Sequence, residues 1–267
     1  MTFKPYGITP PIITPFHPDG SVDYETLAMM SRHLVENGVH GLFPMGTTGE
    51  FYAVNDEEFV KILKTVRDAV QGMKTRKGRS IQLFAGCSHI TTRGVIHLIR
   101  LVEELGGYDA ISVLTPMFIS QTQDELYTYY KTIADSTTMP VILYNNKPKT
   151  NVTIAPETVV RLAKDCPNIV AVKDSTGDMT NTEEYLRLTR GMDNFHVMMG
   201  RDTLIYAALC YGASGAIASC ANVAPRIAVD IYEKFRAGDA AGALDAQFRF
   251  SALRIATNMG TFPVVLK

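Results

Sequence analysis

PVILYNNKPKTNVTIAPETVVRLAKDCPNIVAVKD, residues 140–174, decides the fold. It opens on a short apolar run, PVILYN (140–145), and closes on another, IVAVKD (169–174). Runs this continuous in Val, Ile, Leu and Ala suit parallel strands covered on both faces, which need no polar alternation. The segment between them, 155–164, reads as an amphipathic helix with Pro156 where a first-turn proline is tolerated. Strand, helix and parallel strand make one βα repeat.

The same unit recurs outward in both directions. Further apolar runs lie at 8–16, 38–46, 80–87, 109–116, 196–200 and 215–220, giving eight strands. Helical patterns fill the gaps at 23–36, 55–70, 91–105, 123–135, 180–189 and 202–211, and two more follow at 224–237 and 239–258. Asn55 and Asp56 supply a cap signal, and Glu57 and Glu58 sit in the first turn, where carboxylates oppose the helix dipole. Eight such units in tandem predict a (β/α)8 TIM barrel of class α/β, closed by a shortened C-terminal helical tail. The main rival is a doubly wound open sheet. That fold calls for a G-x-G-x-x-G turn after the first strand, and HPDGSVD stands there instead. No linker divides the chain, so we assign residues 1–223 to the barrel and 224–267 to the tail.

Composition narrows the function classes. The 267 residues are 46% hydrophobic and 20% charged, ordinary for a globular core, with a net charge of −1. That balance offers no broad footprint for nucleic acid or an anionic membrane. The N-terminus lacks an apolar signal segment and no run of about 18 apolar residues occurs, so neither secretion nor a membrane span is expected. Cys87, Cys166, Cys210 and Cys220 form no C-x-x-C pair and read as reduced thiols of a cytoplasmic protein. With no H-E-x-x-H and no His/Cys cluster, no metal site is indicated.

A barrel places its chemistry at the carboxyl ends of its strands. The candidates are Thr14, residues 46–50, Cys87, Ser88, 115–118, Tyr144, Asn145, 173–176, 200–202 and 219–222. Lys173 is the most informative. A lysine in a buried strand faces pressure to be neutral, and a neutral amine attacks carbonyls to form a Schiff base. The competing reading pairs it with Asp174 or another carboxylate. Tyr144 ends the fifth strand as a proton-transfer candidate, or as an aromatic packed at the rim. GTTGE (46–50) offers hydroxyls and amides to a carboxylate, or merely caps the next helix.

Together, GTTGE, LYNN and AVKDSTGD, with ITPF near the start and GAIASCANVAP near the end, resemble the dihydrodipicolinate synthase / N-acetylneuraminate lyase family of pyruvate-dependent class I aldolases. The resemblance runs from Tyr6 to Lys267. It implies that Lys173 forms the Schiff base with pyruvate and that Tyr144 relays protons. Thr47 and Thr48 would hold the pyruvate carboxylate and pass protons, while Gly46, Gly200 and Ile217 would border it. No cofactor or metal is implied; a homo-oligomer, dimer or tetramer, is.

The sequence departs from the family in places that bear on the second substrate. TPMFIS puts Met117 and Phe118 where the synthases carry two tyrosines, the second of which enters a neighbouring subunit's site. A phenyl ring transfers no proton. Met117, Phe118 and Ile119 suit either a subunit contact or a cover for the barrel mouth. Lys149 stands where the synthases bind the aldehyde's carboxylate with an arginine; it keeps the charge and loses the fork. In GRDT, Asp202 fits a sugar-contacting aspartate, Thr203 replaces a glutamate, and Arg201 is unexpected; Ser219 is a further candidate for a polyol. Family members usually carry one or two more helices after the segment matching GTFPVVLK. The expected activity is a 4-hydroxy-tetrahydrodipicolinate synthase-like condensation of pyruvate with aspartate semialdehyde. The alternatives are a 2-oxo-3-deoxy sugar acid aldolase or dehydratase, an N-acetylneuraminate lyase, and a catalytically silent barrel that binds a 2-oxo acid.

Overall fold

The computed structural model describes residues 3–267. Eight parallel strands appear in chain order: β1 Gly7–Ile8, β2 Gly41–Leu42, β3 Gln82–Gly86, β4 Ala110–Leu114, β5 Val141–Asn145, β6 Ile169–Asp174, β7 His196–Met199 and β8 Gly215–Ala216. Each pairs with its neighbour from β2 through to β8, and β8 returns to β1. The seam between β1 and β2 is closed by a parallel bridge, Pro11 to Phe43, with Ile12 N donating to Phe43 O at 3.0 Å. The result is the expected (β/α)8 barrel.

The helices are α1 Tyr24–Glu36, α2 Asp56–Ala69, α3 Thr92–Leu105, α4 Gln123–Asp135, α5 Lys147–Thr150, α6 Pro156–Asp165, α7 Met179–Leu188, α8 Ile205–Cys210, α9 Pro225–Arg236 and α10 Ala240–Ala256. Their starts follow the sequence signals. Asn55 caps α2 in a reciprocal box with Glu58, and Thr122 caps α4 in another with Glu125. Pro156 opens α6.

Two layers of core result. Phe43, Phe84, Ile142, Ala171, Met198 and Ile217 fill the barrel itself, while Leu143 and Val172 point outward into the helix layer. A fully buried side chain of this size contributes about 1.5–3 kcal/mol. The alternation fixes the site: Ala171 faces inward, so Lys173, two residues on, also faces inward at the barrel mouth.

Some boundaries differ from the sequence reading. Strands β1, β2 and β8 have two residues each, shorter than their apolar runs. Prolines 10, 11 and 15 remove ladder donors after β1, and Met45 beyond β2 adopts φ +60. The helix expected over 202–211 splits into a 3-10 turn and α8. The Gln247 side chain explains the split. Its amide donates to Asp202 O at 2.9 Å and accepts from Tyr206 N at 2.8 Å, the two groups an α-helical turn would have paired. Helix α5 is short and has no counterpart in the sequence reading.

Candidate active site

The parallel register pairs Tyr144 on β5 directly with Lys173 on β6. Side chains at paired positions share a face, so the amine and the phenol meet. Lys173 Nζ lies 3.7 Å from the Tyr144 ring centroid and 5.1 Å from that of Phe43. The lysine is only 3% exposed. No carboxylate comes within salt-bridge distance of it among the described residues. Asp174, the partner offered by the competing reading, points the other way. It accepts from Thr182 Oγ1 at 2.7 Å, Asn181 Nδ2 at 3.1 Å and the Thr176 amide at 3.1 Å.

Burial therefore holds the Lys173 amine below the ordinary lysine range, against the opposing pull of Tyr144. For Tyr144, burial pushes upward. The charge on Lys173 and hydrogen bonding to Thr47, Lys173 and Ser175 outweigh it, and the phenol lies below its ordinary value. A lowered amine beside a lowered phenol makes a pair that exchanges one proton at short range.

Thr47 and Thr48 come from the turn after β2. Thr14 Oγ1 donates to Gly49 O at 2.7 Å and fastens that turn to the β1 segment. Thr47 Oγ1 then lies 3.3 Å from Tyr144 Oη. Asn146, just beyond β5, donates from Nδ2 to the same phenol oxygen at 2.9 Å.

These groups border a cavity of about 250 Å³ at the strand ends. Of the ten residues the sequence proposes, Thr47, Thr48, Tyr144, Lys149, Lys173, Gly200, Asp202, Ile217 and Ser219 line it. Gly46 does not; it packs on the Phe43 ring, where a Cβ would stand 3.0 Å from Cε1. Gly200 is held to glycine by space, since a Cβ there would fall 2.0 Å from Ser175 Oγ. Asp202 is already engaged: Ser219 Oγ donates to it at 2.7 Å, and Arg254 Nε lies 3.6 Å away. Burial raises its carboxyl above the ordinary value, against the lowering effect of Ser219, Cys220 and Arg254.

Several lining residues escaped the sequence reading: Asn146, Arg254 and Phe262 above all. Asn146 follows a recognised strand end, and its polar type was the available signal. Arg254 had a periodic signal. Ala243, Ala246, Gln247 and Phe250 form the buried stripe of α10, and Arg254 stands four residues past Phe250 on that stripe. With Lys149 and Arg201, Arg254 makes three cations at the cavity wall. No cluster of three or more metal-ligating side chains occurs among the described residues.

A closed barrel with a desolvated lysine, an adjoining tyrosine and a hydroxyl-bearing turn at its mouth is the architecture of a class I lyase. The sequence model of the Dihydrodipicolinate synthetase family matches residues 4–267. The 4-hydroxy-tetrahydrodipicolinate synthase of Desulforamulus reducens is 36% identical over 228 residues, spanning 85% of this chain and 74% of that protein. The enzyme of the same name from Fervidobacterium nodosum is 33% identical over 261 residues, spanning 98% and 86%. YagE from E. coli K12, a prophage protein of the dihydrodipicolinic acid synthase family solved with pyruvate, superposes with a TM-score of 0.90 at 29% identity, over 97% of this chain and 85% of that one. The chain belongs to the dihydrodipicolinate synthetase family, whose members are class I lyases. Its solved synthases are pyruvate-dependent Schiff-base aldolases.

Proposed function

We propose that this chain condenses pyruvate with aspartate semialdehyde, as a 4-hydroxy-tetrahydrodipicolinate synthase. One observation carries the reading: the Lys173 amine, buried and without a carboxylate partner, stands against Tyr144 in the cavity bordered by Thr47 and Thr48. Neutral Lys173 Nζ attacks C2 of pyruvate. Tyr144 delivers the proton that lets the carbinol oxygen leave as water, and an imine forms. The imine draws electrons from C3, which loses a proton and becomes an enamine. C3 then bonds to the aldehyde carbon, whose oxygen takes up a proton. The semialdehyde's own amine next attacks C2 and releases the Lys173 amine with ring closure. The balance is one water lost for one carbon–carbon and one carbon–nitrogen bond formed.

Thr47 and Thr48 hold the pyruvate carboxylate in this scheme. Lys149, Arg201 and Arg254 favour an acceptor bearing a carboxylate over a neutral polyol. Asp202 supports the same choice, because its oxygens are engaged by Ser219 and Arg254 rather than free for sugar hydroxyls. The test is borohydride reduction with pyruvate, followed by mass spectrometry, then turnover on aspartate semialdehyde against a panel of 2-oxo-3-deoxy sugar acids. One pyruvyl adduct per chain on Lys173 and turnover of the semialdehyde are expected. Turnover of a sugar acid alone would replace the substrate, and an adduct without turnover would mark a silent barrel. We also infer a cytoplasmic location; four free thiols suit a compartment that keeps cysteine reduced. The enzyme is also read as a homo-oligomer, a dimer or tetramer, with the 117–119 loop as a contact; the exposed rings and methyls there support this.

A further inference from the structure

The opposite end of the barrel is also charged, and the chemistry above does not use it. Tyr6 precedes β1, Gly38 and His40 precede β2, the 75–79 loop precedes β3, and α9 packs against β1. Together they enclose a cavity of about 200 Å³ at the amino-terminal face. Arg76, Lys77, Arg79 and Arg236 border it, and Glu233 is the one carboxylate among the residues lining it.

That carboxylate is fully occupied. Lys77 Nζ lies 2.6 Å from its Oε2, and His40 Nε2 lies 2.8 Å from its Oε1. His40 Nδ1 accepts the Ile8 amide hydrogen at 3.1 Å, so the ring donates to Glu233 through Nε2 in its neutral form. Burial depresses the imidazole, Glu233 opposes that, and Lys77 and Arg76 add to it, which keeps the ring uncharged at neutral pH. Glu233 and Lys77 cancel. Arg76, Arg79 and Arg236 remain, and none of them has a carboxylate within 4.0 Å among the described residues.

Arg76, Lys77, Arg79 and Arg236 are exposed at the rim, and two details shape the wall they stand on. The Tyr6 hydroxyl is buried and has no hydrogen-bond partner, an unusual state for a donor. Its ring lies 5.1 Å beneath the Arg79 guanidinium and 5.5 Å, edge-on, from His40. Arg76 lies against the backbone of Gly38, which adopts φ +95; a Cβ there would stand 2.7 Å from Nε. Its Nη2 donates to Asn37 O at 3.3 Å, which fixes the side chain at the cavity edge.

We propose that this amino-terminal cavity is a second binding site, for a phosphate-type oxyanion, free or as part of a larger molecule. Planar guanidinium forks match the oxygens of phosphate, and three uncompensated forks exceed what one carboxylate ligand would balance. The site lies at the end of the barrel away from Lys173, so occupancy leaves imine formation intact.

Isothermal titration calorimetry of the full chain with sodium pyrophosphate and with inorganic phosphate, against sodium chloride at matched ionic strength, tests this. One saturable site per chain is expected for the phosphates and none for chloride. Arg79→Gln and Arg236→Gln should each weaken binding at least about tenfold, the effect of losing a charge-assisted hydrogen bond. Both variants should still form the pyruvyl adduct on Lys173, which shows that they fold. Arg254→Gln, at the strand-end cavity, should leave phosphate affinity unchanged. Equal affinities for the two anions assign free phosphate and tighter pyrophosphate assigns a phosphoanhydride; both support the site. Absence of saturable binding, or loss of it in Arg254→Gln but not in Arg79→Gln and Arg236→Gln, overturns the proposal.

Discussion

The carboxyl ends of β5 and β6 and the loop leaving β4 both serve the barrel mouth, but they are held in different ways. Tyr144 and Lys173 are fixed by strand register, buried on all sides, and touched by Thr47 and Asn146 from flanking turns. Phe118, a few residues past β4, is 97% exposed and adopts φ +81, with Ile119 beside it also exposed. A non-glycine residue at such a φ costs about 1–2 kcal/mol. One region is complete within a single chain. The other carries apolar surface and backbone strain that nothing in its own chain repays. The reacting pair is therefore autonomous, and the proposed contact with a second copy falls to the loop.

The sharpest way to break this contrast is Lys173→Met. Turnover should fall at least about 10,000-fold, as on removal of a nucleophile, and the pyruvyl adduct should vanish. Stability should move the other way. A lysine whose folded-state value is depressed loses stability as pH falls through its ordinary value of 10.5. At pH 7 the Met variant should therefore melt above the parent, and the gap should close as pH approaches 10.5. Calorimetry at the two pH values decides it; a variant less stable at pH 7 would mean the amine is charged and well solvated. Tyr144→Phe comes next. It keeps the ring against Lys173 and removes only the transferable proton, so a loss of about 100- to 10,000-fold in kcat is expected. Stopped-flow trapping should show slower imine formation at unchanged adduct stoichiometry, and a normal rate would take Tyr144 out of the proton path.

The autonomous region was also the legible one. The apolar run 169–174 coincides with β6, and a lysine near the carboxyl end of a buried barrel strand belongs at the barrel mouth, where Lys173 stands. Tyr144 followed from the same rule. The turn 46–50 was legible as chemistry but not residue by residue, because strand alternation stops at an irregular turn and cannot tell that Thr48 reaches the cavity while Gly46 packs on Phe43. Arg254 was hidden for another reason. It lies 38 positions past the end of β8, and although it continues the buried stripe of α10, only the packing of that helix against the 3-10 turn at Asp202 brings it to the site. The split of the helix over 202–211 depended on Gln247, another long-range side chain. Local period carries strands and caps; contacts between distant side chains and backbone do not show in it.

Asn146→Val tests how far the autonomous pair relies on its flank. The amide stabilises the ionised phenol by donating to it, so removal should raise the Tyr144 value and move the alkaline limb of the kcat profile to higher pH. Losing one hydrogen bond predicts a drop in kcat of about tenfold with KM for pyruvate little changed. A rise in KM alone, with a fixed pH profile, would make Asn146 a wall of the pocket instead of a positioning residue.

Phe118→Ser should have the smallest effect within the chain and the most to say about the loop. Replacing so exposed a ring should change the stability of the isolated chain by no more than about 0.5 kcal/mol. Adduct formation on Lys173 should be unaffected, since no part of the reacting pair touches the loop. Sedimentation velocity carries the decision. A lower mass than the parent at the same concentration shows that the ring is buried by a second copy and that the strained φ is balanced there. An unchanged mass with a raised KM for the aldehyde shows instead that the ring closes over the mouth during turnover. If neither mass nor KM moves, the loop has no share in assembly or catalysis, and the contrast with β5 and β6 reduces to one of exposure.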